Sequence, residues 1–364
     1  MTIRSVAVMP LALPLLPGSS RPSFAGRSLD VARMNLVRVE TTDGVVGWGE
    51  AFGHVAWQPA CVALRDIVAP LAEGRDETDI AALSLDLQRT LHLFGRSGAM
   101  LYALSGLEIA LWDIAGKRAG RSIAELLGGA RRQALPAYAS LPRYGDPATV
   151  TRNAAAAAAR GYASVKLHEI GVEQVAAARA AVGPDVALMM DTNCPWTVDQ
   201  ALAMAERLRP QNLLWLEEPV WPPEDHAGLA RVRAGAGIAV AAGENAASPE
   251  ECTALMAADG VDYIQPSVTK IGGIGPWMRV AGEAVTRGIA VMPHCPYFGP
   301  GLLATLHMAA ALPGESLIEH MYYDLAASPF AAAIQARHGG FTLPSGPGLG
   351  CEPDPEVLRR HAAA

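Results

Sequence analysis

The chain has 364 residues, 51% of them hydrophobic and 18% charged, and 29 basic residues against 36 acidic ones give a net charge of −7. That length suits about two domains with real cores, although one α/β barrel absorbs roughly 250 residues by itself. An acidic balance with no basic stripe argues against a nucleic-acid partner or an anionic membrane surface, and no uninterrupted apolar run approaches the roughly 20 residues of a membrane span.

Residues 3–15 read as an apolar strand. Pro10 and Pro14 break its apolar run and only Arg4 precedes it, which argues against a secretory signal. Residues 17–22 are too rich in Pro, Gly and Ser for regular structure and form either a solvated connector or an active-site lid. Residues 34–51 predict a hairpin around Asp43-Gly44. Helices follow over 57–128, the clearest spanning 100–120 and stopping at Gly120, with a short one over 123–127. The five cysteines (Cys61, Cys194, Cys252, Cys295, Cys351) are odd in number and include no Cys-x-x-Cys pair, as in a reduced, cytoplasmic protein.

From Ala134 the pattern becomes periodic. Apolar runs at 135–141, 164–168, 186–191, 213–217, 238–244, 261–267, 289–294 and 316–319 alternate with Ala-, Arg- and Glu-rich helical stretches such as 199–208. Eight strands alternating with helices predict a parallel α/β fold, closed as a barrel. A loop-rich tail begins at Gly346 and ends in a short helix over 356–360.

Polar groups recur about every 25 residues at the C-terminal tips of seven consecutive strands: Lys166 with His168, Asp191, Glu217 with Glu218, Glu244, Ser267, His294 and Glu319. One such group per βα unit rings the barrel mouth where active sites lie. Asp191, Glu217 and Glu244 are hard oxygen donors on successive strands and would repel one another uncompensated; they suit Mg²⁺, with Mn²⁺ as a substitute. Lys166 and His168 share one strand face, and the ammonium is expected to lower the proton affinity of His168 and leave it a neutral base. His294 is a second acid/base candidate. These groups suit removal of a proton next to a carboxylate, with the cation and Lys166 stabilising the charge that forms.

Several motifs, in order, carry a family resemblance: Val46-Gly-Trp-Gly-Glu-Ala51, Ala110-Leu-Trp-Asp-Ile-Ala-Gly-Lys117, Leu126-Leu-Gly-Gly129, Asp191-Thr-Asn193, Leu216-Glu-Glu-Pro219, Gly243-Glu-Asn245, Lys270-Ile-Gly-Gly273, Pro293-His294 and Pro347-Gly-Leu-Gly350. Together they resemble the mandelate racemase/muconate lactonising enzyme-like group of the enolase superfamily. The resemblance implies an α+β capping domain from residues 1–130, a modified (β/α)7β barrel over 131–325, and a segment 326–364 returning to the cap. It implies Glu217 rather than Glu218 as the ligand, a choice that strand parity leaves open, and Glu319 as a hydrogen-bond partner of the substrate carboxylate or enolate. It places the loops around 17–30 and 50–57 over the substrate, with His54 and Trp57 as contacts beside Asn193 and Ser267. It also implies a homo-oligomer acting on a small carboxylate. Two positions depart from the pattern: His168 stands where a second Lys is usual, and Ser267 stands where an Asp or Lys is usual, so His294 lacks its carboxylate orienter.

The leading expectation is Mg²⁺-dependent dehydration of an aldonate or aldarate to a 2-keto-3-deoxy acid, His168 or His294 taking the α-proton and the other protonating the leaving hydroxyl. Racemisation of a 2-hydroxy acid is the runner-up. Cycloisomerisation is more remote, because that branch usually carries Lys at position 267. A paralogue that binds metal and carboxylate without turnover is the non-enzymatic alternative.

Overall fold

The computed structural model describes residues 1–16, 21, 23–24 and 27–363. Residues 17–20 and 22 of the stretch assigned above to a connector or lid, and 25–26 of the longer 17–30 loop, therefore lie outside the described residues. The N-terminal layer is an antiparallel sheet of Ile3–Pro14, Val31–Thr41 and Val46–Ala51, with the second strand central. The long helix Gly98–Ala119 packs on it and stops at Gly120, whose left-handed φ of 62° ends the helix. By length and apolarity this helix could cross a membrane, but 72% of its most apolar window is buried within the fold. It is a core helix.

The Val-Gly-Trp-Gly motif has a packing cause. A Cβ on Gly47 would stand 2.2 Å from the Ala110 carbonyl oxygen, and one on Gly49 would stand 1.9 Å from that of Gly106. Alternate residues of a strand share a face, so two glycines let the helix backbone rest directly on the strand. Trp48, between them, donates its backbone N–H to buried Asp113 at 2.9 Å and its indole N–H to Glu352 at 2.6 Å. Asp113 also accepts from the Leu349 N–H at 2.8 Å, which ties the C-terminal tail to this layer. The tail helix Pro355–Arg360 leads to an Ala363 N–H bond to the Pro10 carbonyl at 2.7 Å.

The barrel strands are Ala134–Leu141, Ser164–Leu167, Ala187–Asp191, Leu213–Glu217, Val240–Ala242, Tyr263–Ile264, Ala290–Val291 and Ile318–Met321. They pair in parallel in sequence order, and the eighth returns beside the first. Strands five to seven are shorter than their apolar runs. Gly243 turns away at φ 126°, and Pro266 and Pro293 remove ladder donors just beyond strands six and seven. Gly340–Thr342, unforeseen in the tail, pairs antiparallel with the first barrel strand. Tyr138, Met189, Trp215, Ala241 and Met292 form one buried cluster inside the barrel. Its members come from strands across the whole sheet, so the sheet encloses a packed interior. The side chains above this cluster face the C-terminal mouth.

Two buried acids join the layers. Glu108, on the long helix, accepts from the N–H groups of Ile274 and Gly275 at 2.7 and 2.9 Å, at the start of helix Ile274–Arg287. Glu50 accepts from the Gly301 N–H at 2.9 Å, at the start of helix Pro300–Ala311. Helix N-termini carry free N–H donors and partial positive charge, which carboxyl groups satisfy. Those helices follow strands six and seven, so the N-terminal layer is seated beside the mouth.

Candidate active site

Lys166, at the end of the second barrel strand, is 1% exposed. Its ammonium lies 3.2 Å from Asp191, 2.8 Å from Glu217 and 3.0 Å from Glu319. Asp191 and Glu319 are correspondingly ionised: although burial opposes it, Lys166 holds Asp191 well below the usual range and Glu319 at about 2. Asp191, Glu217 and Glu244 each offer an oxygen within 4.8 Å of the others. Asn193, with left-handed backbone at φ 55°, orients Asp191 through its backbone N–H at 3.0 Å and its side-chain amide at 2.9 Å. The Trp215 indole does the same for Glu217 at 2.8 Å.

The remaining charges test whether these acids fit a cation. Burial, with Asp191 and Glu319 adding to it against Lys166, pushes Glu217 up to about 7. Burial and nearby Glu218 and Asp191 raise Glu244 well above the carboxylate range. Five acids (Asp191, Glu217, Glu218, Glu244 and Glu319) crowd one mouth with Lys166, Lys270 and His168, and Glu217 and Glu244 are left short of positive charge. All-oxygen donors with no thiolate or imidazole suit Mg²⁺ or Mn²⁺, so the residues fit the metal.

Glu218, the second acid of the motif, points away from Lys166. It accepts from the Asn245 amide at 2.7 Å and the Cys194 thiol at 3.5 Å, whereas Glu217 shares the oxygen cluster with Asp191 and Glu244. His168 departs from expectation. Its Nδ1 lies 2.7 Å from the Leu141 carbonyl and its Nε2 lies 3.1 Å from Asp191. Burial lowers its proton affinity, but the charge of Asp191 and its hydrogen bond outweigh both burial and Lys166, so its pKa is raised, not lowered. The carboxylate contact is shorter-ranged than the ammonium effect argued from sequence.

His294 Nδ1 lies 3.1 Å from Ser267 Oγ, and its Nε2 lies 3.3 Å from Glu244. Burial lowers its pKa to about 3, with Glu319 and Asp191 opposing and Lys270 and Lys166 acting in the same sense. Ser267, expected to touch substrate, is fully buried behind this ring and bonds the Tyr297 hydroxyl. Glu319 accepts from Ser140 at 2.8 Å, from the Cys295 N–H at 3.2 Å and from Lys166. An ionised carboxylate only accepts, and Glu319 here holds Lys166 in place.

Trp57 lies under the Arg33 guanidinium at 5.1 Å. Partial enclosure and the Lys270 ammonium lower the pKa of His54. Lys270 donates to the Glu244 carbonyl at 2.6 Å and lies 4.9 Å from the Phe52 ring, which brings the 50–57 loop to the rim. Arg143 was missed. It follows the first barrel strand, exposed at the mouth, and donates to the His168 carbonyl at 2.6 Å. It precedes His168 by 25 residues, so the interval that located the other strand tips would have found it.

The profile described as Enolase C-terminal domain-like matches residues 149–357, and that of the mandelate racemase / muconate lactonizing enzyme N-terminal domain matches residues 18–128. The chain is 35% identical to D-galactarolactone cycloisomerase of Agrobacterium fabrum, over 89% of each chain. It is 31% identical to arabinonate dehydratase of Saccharolobus solfataricus, over 91% of each. Its fold is similar to the crystal structure of a racemase from Streptomyces coelicolor with bound magnesium, with a TM-score of 0.88, 27% identity and coverage of 99% of this chain and 100% of that one. Acid-sugar dehydratases and cycloisomerases recur among the similar proteins.

Proposed function

This chain belongs to the mandelate racemase/muconate lactonizing enzyme group of the enolase superfamily, and from that premise we propose that it dehydrates an acid sugar, an aldonate or aldarate, to a 2-keto-3-deoxy acid. The observation that carries this reading is the convergence of three metal-type carboxylates, one buried lysine and two histidines from different strands on a single mouth.

Asp191, Glu217 and Glu244 would hold Mg²⁺ or Mn²⁺. When bound, such an ion supplies Lewis-acid stabilisation of the charge that develops on the substrate carboxylate. Lys166, fixed by Glu319, adds a positive charge that needs no reorganisation during reaction. One histidine takes the α-proton, and the other meets the hydroxyl leaving the β-carbon. Arg143, at the rim beside His168, is placed for a carboxylate or hydroxyl of an entering sugar.

A second reading is cycloisomerisation of an acid-sugar lactone or anhydro acid, favoured by the cycloisomerases among the relatives. It shares the first step, removal of the α-proton, and differs in the group expelled. Proton NMR in D₂O with Mg²⁺ and pooled aldonates, aldarates, lactones and 2-hydroxy acids separates the readings. Formation of a 2-keto-3-deoxy acid with loss of water supports dehydration. Consumption of a lactone at unchanged mass supports cycloisomerisation. Deuterium entering the α-position without elimination would instead establish racemisation and overturn both.

A further inference from the structure

Each histidine of the mouth has one ring nitrogen turned inward, and the group behind that nitrogen decides what the other can do. Behind His168 is the Leu141 carbonyl, 2.7 Å from Nδ1. A carbonyl only accepts, so Nδ1 carries a proton and Nε2 is the one nitrogen of this ring able to accept another.

Behind His294 is a hydroxyl pair. Ser267 Oγ lies 3.1 Å from Nδ1 and bonds the Tyr297 hydroxyl. Both residues are buried. Thr269 is the other hydroxyl within hydrogen-bond reach of the phenol, but its Oγ1 makes no hydrogen bond of good geometry, to Tyr297 or to any other group. The Tyr297 proton therefore has one well-aligned acceptor, Ser267 Oγ; the reverse orientation would bury a phenol proton without one. A serine that accepts from tyrosine turns its own proton to Nδ1. The His294 proton then resides on Nε2. Glu244, ionised when it holds a cation, accepts only and lies 3.3 Å away on that side.

We propose that Ser267 and Tyr297 are positioning residues that lock His294 as the Nε2–H tautomer, so that it presents a donor to the mouth and His168 is left as the sole base. This rests on the dehydration reading and deepens it: His168 takes the α-proton and returns it to the departing hydroxyl, which leaves as water, and the His294 N–H hydrogen-bonds that oxygen as it departs. A carboxylate at position 267 would accept from Nδ1 and reverse the tautomer.

The test is ¹⁵N NMR of histidine-labelled protein with and without Mg²⁺, the His294→Gln variant identifying the signals. Wild type is expected to show a protonated Nε2 and an unprotonated Nδ1 at His294. Tyr297→Phe and Ser267→Ala should mix the two forms, Ser267→Thr should retain the wild-type signature, and Ser267→Asp should move the proton to Nδ1. Tyr297→Phe removes a single oxygen and carries the test if the aspartate variant does not fold. A wild-type His294 protonated on Nδ1, or a signature unmoved in Tyr297→Phe and Ser267→Ala, overturns the proposal. These readouts need no substrate. Failure of every acid sugar to react, with the Nε2–H form present, would therefore count against the dehydration reading and not against the relay.

Discussion

Glu50 and Glu108, at the seam between the N-terminal layer and the barrel, and Asp191, Glu217 and Glu244, at the mouth, are all acids withdrawn from solvent, yet their partners differ in kind. The seam acids face backbone N–H groups at helix starts and no cation. Burial pushes both up to about 7. The mouth acids share Lys166 and His168, and burial with mutual repulsion still raises Glu217 and Glu244. A carboxyl satisfied by N–H donors alone is complete when protonated. A cluster of carboxylates around one ammonium is complete only when more positive charge arrives. The first arrangement joins layers; the second is chemistry waiting for a cation.

The sharpest way to break this contrast is at the mouth. Asp191→Ala should abolish Mg²⁺-dependent turnover, by about a thousandfold or more, and weaken Mg²⁺ binding measured by calorimetry; undiminished turnover would remove the metal assignment. Lys166→Met should strip the counter-charge from three acids and destabilise the metal-free protein by about 3–5 kcal/mol in urea unfolding, with Mg²⁺ restoring part of the loss. The raised Glu217 and Glu244 hold protons near pH 6 that a cation must displace. Mg²⁺ binding there should release protons, and affinity should rise from pH 5 to 8, read by calorimetry in buffers of different ionisation enthalpy.

The seam should respond to pH in the opposite sense. Folded Glu50 keeps a proton that the unfolded chain loses above 4.5, so its contribution to stability is present at low pH and falls as pH rises to about 7. The loss is on the order of 3 kcal/mol. Glu50→Gln, which retains an acceptor for Gly301 without a charge, should flatten that decline in melting temperature. The smallest effect is steric: Gly49→Ala forces the sheet from the long helix and should cost about 1–3 kcal/mol, with no change in the pH profile.

Much of the mouth was legible in the chain because a βα repeat converts sequence interval into angular position. Lys166, Asp191, Glu217, Glu244, His294 and Glu319 recur at strand tips, and the fold gathers them into one network with Asn193. Ser267 shares the interval, but its partner is Tyr297, beyond the strand in a segment with no periodic signal. Position in the repeat therefore located Ser267 without revealing which way its hydroxyl is engaged.

By itself the sequence determined the alternation of strand and helix, the glycines that let a strand meet a helix backbone, and the three acids on successive strands, since these depend on local propensity, steric size and a fixed interval. Only the tertiary structure shows the Asp191 contact of His168, the Asn245 and Cys194 contacts of Glu218, the Lys166 contact of Glu319 and the Ser267 contact of His294. Each of those depends on a partner from another strand, and the energy of a buried charge or hydrogen bond is set within a few ångströms by neighbours that no linear spacing specifies.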